Sequence, residues 1–237
     1  MRYVEVGGAR LSVIGLGTWQ FGSWEWGYGQ GYAEGEAGAI VERALDLGIN
    51  LIDTAELYGF GESERIVGRA IAGRRDEAFI ATKFLPLLPG AGIVASRARA
   101  SAGRLGVTRI DGYQLHFRNP LVPLGPAMAG ARRLQQEGLV VHAGVSNFSL
   151  RAWQAAELAL GGPVLTNQVK YNLLARRPEH DLLAFARAAG RVVIAYSPLA
   201  KGLLSGRYDG SRRPAGLRSL SPGFSRAGVE RAAPVLR

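Results

Sequence analysis

The stretch Asn50-Leu51-Ile52-Asp53-Thr54-Ala55-Glu56-Leu57-Tyr58-Gly59 decides how the chain is read. Leu51-Ile52 reads as the end of a buried strand. It stops on a carboxylate, Asp53, which puts a charge at the rim of a core. Tyr58 follows in a loop next to Gly59, within reach of the same rim. A lone aspartate at a strand end is ordinarily a helix cap or an ion-pair partner. Its meaning depends on whether later strands also end on polar groups.

They do. Ala78-Phe79-Ile80-Ala81-Thr82 reads as a strand ending on Lys83, and Tyr113-Gln114-Leu115 as one ending on His116. Residues 139–145 run into Ser146-Asn147, residues 164–169 carry Gln168, and residues 192–195 run into Tyr196-Ser197-Pro198. Positions 53, 83, 116, 147, 168 and 196 are 21 to 33 residues apart, about one βα unit each. Helical patterns fill the intervals. Ile40, Val41, Ala44 and Leu45 share a face that Gly48 ends, and Ile66, Val67, Ala70 and Ile71 share another behind Ser63, read as an N-cap. Residues 93–105, 126–137, 150–160 and 179–189 read as further helices. Val13-Ile14-Gly15-Leu16-Gly17 reads as a buried strand, preceded by a hairpin over 3–6 and 9–13 that turns at Gly7-Gly8.

Strands alternating with helices imply βαβ units and a parallel sheet. In a (β/α)8 barrel every strand points the same way, so polar groups at successive strand ends converge on one rim. Seven such units are present, and residues 1–237 read as one barrel domain. The rival is a doubly wound open sheet, which needs a glycine-rich phosphate loop after an early strand. Gly15-Leu16-Gly17 does not supply it, since Gln20 stands where the third glycine belongs.

Composition narrows the function. Hydrophobic residues make up 47% of 237 residues, enough for a large core, and no apolar run reaches the ~18 residues a membrane span needs. There is no cysteine, so disulfide and thiolate chemistry are excluded, and no signal-peptide core follows Met1, so a cytoplasmic protein is expected. The net charge of +10 comes from scattered arginines, with lysine only at 83, 170 and 201. Nucleic-acid binding needs a patch rather than a total, so a solvated surface is expected. The loop from Thr18 to Gly35 holds Trp19, Phe21, Trp24, Trp26 and Tyr28, which either line an apolar pocket or plug the core.

A barrel gathers Asp53, Tyr58, Lys83 and His116 at neighbouring strand ends. A phenol with a pKa of ~10 is a poor acid near neutrality. The Lys83 ammonium, held by Asp53, is expected to lower that value so that Tyr58 gives a proton to an oxygen gaining negative charge. His116 is placed to hydrogen-bond the same oxygen. An amine suits this task in a chain that otherwise uses arginine for its positive charge. The set polarises and protonates a carbonyl but supplies no electrons, which calls for a hydride-donating cofactor. Ser146, Asn147 and Gln168 suit a carboxamide, Tyr196 offers a ring for stacking a nicotinamide, and the loop of Ser197, Pro198, Leu199, Lys201, Gly202 and Leu203 suits a diphosphate. His142 and His180 fall outside the spacing series and are assigned structural roles.

Read together, these pieces resemble an aldo-keto reductase. The matching segments are Gly15-Leu16-Gly17-Thr18-Trp19, Asp53-Thr54-Ala55-Glu56-Leu57-Tyr58-Gly59, Ala81-Thr82-Lys83 and Gln114-Leu115-His116. Gly144-Val145-Ser146-Asn147-Phe148, Asn167-Gln168-Val169-Lys170-Tyr171-Asn172 and Ala195-Tyr196-Ser197-Pro198-Leu199 continue them in family order. The resemblance implies a TIM-type (β/α)8 barrel that uses NADPH to reduce aldehydes or ketones, with no metal. Tyr58 would be the proton donor, Lys83 and Asp53 its tuning pair, and His116 the group that orients the carbonyl. Gly17, Thr18, Trp19 and Asp53 would join the later strand ends in holding the cofactor. The substrate pocket would lie among Trp19, the aromatic loop, Tyr58 and the residues after His116.

The resemblance also implies that the apparent helix from Val229 to Leu236, which follows the polar stretch 207–226, continues and is followed by an eighth strand and an eighth helix. The expectation is therefore a barrel incomplete at its C-terminus, with two open sheet edges, that is poorly stable, aggregation-prone or dependent on association, and with weak or absent NADPH binding. NADH is not excluded. The alternative function is a non-catalytic, cofactor-sensing or interaction protein on the same scaffold, or an inactive fragment. An aldolase or isomerase barrel is a third class, which would want a Schiff-base lysine, with Lys83 the one to test, or a phosphate site near the last strands.

Overall fold

A computed structural model of the chain describes residues 1–24, 34–86, 90–208, 212, 214, 219 and 221–236. Strands β1 (Tyr3–Val6) and β2 (Ala9–Ser12) form an antiparallel hairpin, with Tyr3 opposite Ser12 and Val6 opposite Ala9. Gly7 and Gly8 turn it with φ of 58° and 79°, the left-handed pair that a two-residue hairpin requires.

Seven parallel strands follow: β3 (Gly15–Gly17), β4 (Leu51–Asp53), β5 (Phe79–Phe84), β6 (Ile110–Leu115), β7 (Val140–Ser146), β8 (Thr166–Lys170) and β9 (Val192–Tyr196). They lie side by side in chain order. That order has no reversal, and hence no switch point of the kind a doubly wound sheet uses. Helices α1 (Glu34–Asp46), α2 (Glu62–Ala70), α3 (Ala91–Leu105), α4 (Leu124–Gln136), α5 (Leu150–Leu160) and α6 (Leu182–Ala189) each lie between successive strands. Helix α7 (Arg226–Ala232) comes after β9. The architecture is a nearly closed α/β barrel of seven parallel strands with an N-terminal hairpin.

Two apolar layers seal strands to helices. Ile52, Ile80 and Phe21 pack with Val41 of α1 and Ile66 of α2, and Phe84, Ile110 and Val145 with Met128 of α4 and Trp153 of α5. The hairpin closes the end of the barrel at which the strands begin: Ala9 and Leu11 pack on Leu51, Phe79 and Leu165. Burying Leu11 there is worth about 2 kcal/mol. The opposite rim, where strands end, is left for polar groups.

Several expectations change. Val13-Gly17 is not a buried strand. β3 spans only three residues, and Val13 and Ile14 are 49% and 57% exposed. The cause is position, because β3 pairs with β4 alone and is one edge of the sheet. β9 is the other edge and is only partly buried, whereas β5 and β6 are buried throughout. Ser63 is not an N-cap. Left-handed Gly61 precedes α2, and the Ser63 hydroxyl is buried, donating to the carbonyl of Thr18. The helix expected over 179–189 is a 3-10 turn, Arg177–His180, followed by α6, and Pro178 sits in that turn. The last helix stops at Ala232, ahead of a 3-10 turn containing Pro234. Phe21 is core, Trp24 is exposed, and Trp26 and Tyr28 lie outside the described residues. His142 stacks on Phe79. Among the described residues no helix is long and apolar enough to cross a membrane.

Candidate active site

At the rim where the strands end, β4 delivers Asp53, β5 delivers Lys83, and the chain after β6 delivers His116. A 3-10 turn after β4, Tyr58–Gly61, brings Tyr58 back over the same rim. The turn depends on glycine: Gly59 has φ of 55°, and a Cβ there would stand 2.7 Å from the carbonyl oxygen of Gly22.

Lys83 is the hub. Its side chain has no exposed surface, and its ammonium donates to Asp53 Oδ2 at 2.8 Å, to the Thr54 carbonyl at 2.8 Å and to the Tyr58 hydroxyl at 3.2 Å. Burial pulls the lysine pKa down, but the charges of Asp53 and Tyr58 outweigh it and the net shift is upward, so the amine is charged. The phenol departs from expectation. Burial pushes the Tyr58 pKa up, Lys83 pulls it down, Asp53 pushes it up again, and the net direction is above the ordinary phenol value. The ammonium limits the rise but does not reverse it, because half-burying a phenolate beside a carboxylate costs more than one ammonium returns.

His116 meets Tyr58 edge-on, with ring centroids 5.9 Å apart. Burial, aided by the Lys83 charge, lowers its pKa to about 4, so the ring is neutral near neutral pH. Its Nδ1 is buried without a hydrogen-bond partner.

The later strand ends form a connected polar arc. Gln168 Nε2 donates to Asp53 Oδ1 at 2.7 Å, so Asp53 is gripped from β5 and β8 at once. The Ser146 hydroxyl donates to the Gln168 carbonyl, Asn147 Nδ2 donates to Ser146 Oγ, and the Tyr196 hydroxyl donates to Asn147 Oδ1 at 3.0 Å. Asn147 and Ser197 take left-handed φ of 61° and 53°, and Ala200, Lys201 and Gly202 are left-handed too. These left-handed residues bend the 197–203 segment into a turn, in which the Ala200 and Gly202 N–H groups donate to the carbonyls of Ser197 and Leu199. Lys201 Nζ lies 5.6 Å from the Trp19 ring centroid, joining that segment to the end of β3.

The structure brings most of the sequence-derived set to this rim. Pro198 and Leu199 are exposed beside it, and Gly17 is exposed at the end of β3. Two residues point elsewhere. The Thr18 hydroxyl is buried, donating to the Asp53 carbonyl and bonded to Ser63 Oγ, and the Leu203 side chain packs on Phe224 and Ala232.

Sequence reading missed Glu56, Glu64 and Gln114. Glu56 accepts the Leu85 N–H and the Arg97 guanidinium; Glu64, with no exposed surface, accepts from Thr82 and Arg104. Glu64 lies in register with Val67, Gly68 and Ile71 on the inward stripe of α2, a signal that was legible. Gln114 pairs in register with Lys83 and is fully buried. A groove of about 560 Å³ lined by Arg65, Arg69, Gly103 and Arg104 lies between α2 and α3 in the outer helix layer, away from the rim. Among the described residues no cluster of metal-ligating side chains occurs.

Comparison with known proteins gives the family of the chain. The chain is 49% identical to an uncharacterized oxidoreductase of Mycobacterium tuberculosis over 237 residues, which cover all of this chain and 73% of that protein. It superposes on a glycerol dehydrogenase from Gluconobacter oxydans with a TM-score of 0.87 and 32% identity, over 99% of this chain and 75% of the other. An aldo-keto reductase from Klebsiella pneumoniae, solved in complex with NADPH, matches with a TM-score of 0.74 and 32% identity, over 85% of this chain and 69% of that one. The model of the Aldo/keto reductase family matches residues 13–222, and the chain therefore belongs to the aldo/keto reductase family of oxidoreductases.

Proposed function

We propose that the protein reduces aldehydes or ketones to alcohols with NADPH, and that Tyr58 delivers the proton. The observation that carries this reading is the placement of one buried ammonium, Lys83, in hydrogen-bond contact with both Asp53 and the Tyr58 hydroxyl. When bound, a nicotinamide cofactor would supply the hydride for the carbonyl carbon, and the carbonyl oxygen would gain negative charge.

The chain's own groups then act on that oxygen. Tyr58 gives it a proton, and the Lys83 ammonium stabilises the phenolate that remains. Asp53 keeps the ammonium charged and directed, with Gln168 fixing its second oxygen. His116, neutral and beside Tyr58, has one ring N–H with which to hold the carbonyl oxygen in place. Exposed Trp19 and Phe117 flank this rim and suit a small apolar carbonyl compound.

The donor set of the later strand ends fits a nicotinamide dinucleotide. Ser146, Asn147 and Gln168 offer a hydroxyl and two amides on adjacent strands, Tyr196 offers a partly buried ring, and the left-handed 197–203 turn with Lys201 suits a diphosphate. The Klebsiella pneumoniae relative was solved in complex with NADPH, which supports the choice of cofactor.

The test is to incubate the purified protein with NADPH, and separately with NADH, and a panel of small aldehydes, following cofactor absorbance and the alcohol formed. One alcohol per NADPH oxidised is expected. A folded protein that consumes neither cofactor above the uncatalysed rate contradicts the reading.

A further inference from the structure

Two arginines outside the rim, both on α3, contact the segments that flank Tyr58. Arg97 and Arg104 are seven residues apart, two helical turns, and so occupy one face. Both reach toward the loop that carries Tyr58. Arg97 makes a fork on Glu56, with Nε 2.9 Å from each carboxylate oxygen and Nη2 2.7 Å from Oε1. The same Oε1 accepts the Leu85 N–H at 2.6 Å, and the Glu56 backbone N–H donates to the carbonyl of Lys83 at 3.2 Å. Glu56 thereby joins α3, the end of β5 and the Tyr58 loop.

Arg104 acts on the other side of Tyr58. A Cβ on Gly61 would stand 2.6 Å from its Cδ, so the arginine stem backs the Tyr58–Gly61 turn directly. Its Nε donates to Glu64, which accepts from the hydroxyl of Thr82, the residue before Lys83. The loop is held two residues before Tyr58 and three residues after it, and each hold also touches the strand that bears Lys83.

We propose that Arg97 and Arg104 of α3 are positioning residues for proton delivery, setting the Tyr58–Lys83 contact through Glu56 and through the Gly61–Glu64 segment. The proposal rests on the carbonyl-reductase reading only for its kinetic arm. Neither arginine touches the rim, and both carboxylates are nearly or fully buried. Bidentate guanidinium geometry makes Arg97 the stronger lever, since lysine cannot reproduce the fork. A displacement of about 1 Å at a reacting group costs on the order of a hundredfold in rate.

The experiment compares Arg97→Ala and Arg97→Lys with a control, Arg133→Ala, whose surface pair with Glu137 lies at the C-terminal end of α4. Two readouts are taken on folded protein. The first is the ultraviolet phenol titration of each chain minus that of its Tyr58→Phe counterpart, which isolates Tyr58. The second is kcat and KM with an aldehyde. Arg97→Ala is expected to displace the Tyr58 titration and to lower kcat about ten- to a hundredfold with little change in KM. Arg97→Lys should fall between it and wild type, and Arg133→Ala should match wild type. If Arg97→Ala does not fold, Glu56→Gln, which keeps an acceptor for Leu85, is expected to show the same displacement. A folded Arg97→Ala or Glu56→Gln with wild-type titration and wild-type kcat overturns the proposal. A displaced titration in a protein that reduces no aldehyde leaves the bracing in place and removes the reductase reading instead.

Discussion

The Lys83 ammonium, with no exposed surface, lies 3.2 Å from the hydroxyl of Tyr58, and no other charged nitrogen donates to that oxygen among the described contacts. The pair is the point at which fold and proposed chemistry meet. Lys83 comes from an interior strand and Tyr58 from a turn that folds back over it. Replacing Lys83 by methionine keeps the volume and removes the charge. We expect kcat/KM for carbonyl reduction to fall by about 10²–10⁴-fold. Stability should drop by on the order of 3 kcal/mol, because Asp53 loses its buried partner. Steady-state kinetics and denaturant titration measure the two effects, and Lys83→Arg should not restore the rate.

The raised pKa of Tyr58 fixes the alkaline limb of the pH profile. Proton donation needs the phenol, so the rate falls as pH rises through its pKa. The profile of kcat/KM reports the free enzyme. We expect it to stay flat through neutrality and to descend only above the ordinary phenol value of 10.0. A single descending limb between pH ~7 and ~9 would show that the ammonium outweighs burial after all.

His116 links stability to pH. Its folded pKa is about 4, against an ordinary 6.5. Between those values the unfolded chain binds a proton that the folded chain refuses. The group therefore stabilises the fold fully above 6.5, loses that contribution as pH falls toward 4, and changes little below. The full span is worth about 3 kcal/mol. Unfolding free energies of wild type and His116→Asn at pH 7 and pH 4.5 should differ in slope by most of that amount, with the variant the flatter.

The open edge at β3 carries a prediction about association. Val13 and Ile14 are apolar, exposed and next to a strand that pairs on one side only. Such an edge templates pairing with another chain. Ile14→Lys is expected to raise the concentration at which light scattering detects aggregates, while changing stability by no more than about 0.5 kcal/mol.

Much of this was legible in the sequence because a parallel barrel imposes a period. Asp53, Lys83, His116, Asn147, Gln168 and Tyr196 recur at the length of one βα unit, and that spacing alone places them on one rim. Other features depend on groups that no period marks. The exposure of Val13 and Ile14 follows from β3 being an edge, which an apolar run does not reveal. The cap expected at Ser63 failed because its hydroxyl is drawn inward by Thr18 and Thr54, residues distant in sequence. The direction of the Tyr58 shift needed a balance of burial against charge that only geometry provides. The grip of Gln168 on Asp53 crosses 115 residues, and no local pattern marks it.

The central claim is that Tyr58 is the proton donor, and replacing it by phenylalanine tests this most directly, because that removes one oxygen and leaves the turn intact. The measurement is the rate of alcohol formation from an aldehyde with saturating NADPH, beside NADPH binding followed by tryptophan fluorescence. The account predicts that turnover falls by about 10³-fold or more while cofactor affinity stays within about twofold of wild type. Turnover close to wild type in Tyr58→Phe would contradict it.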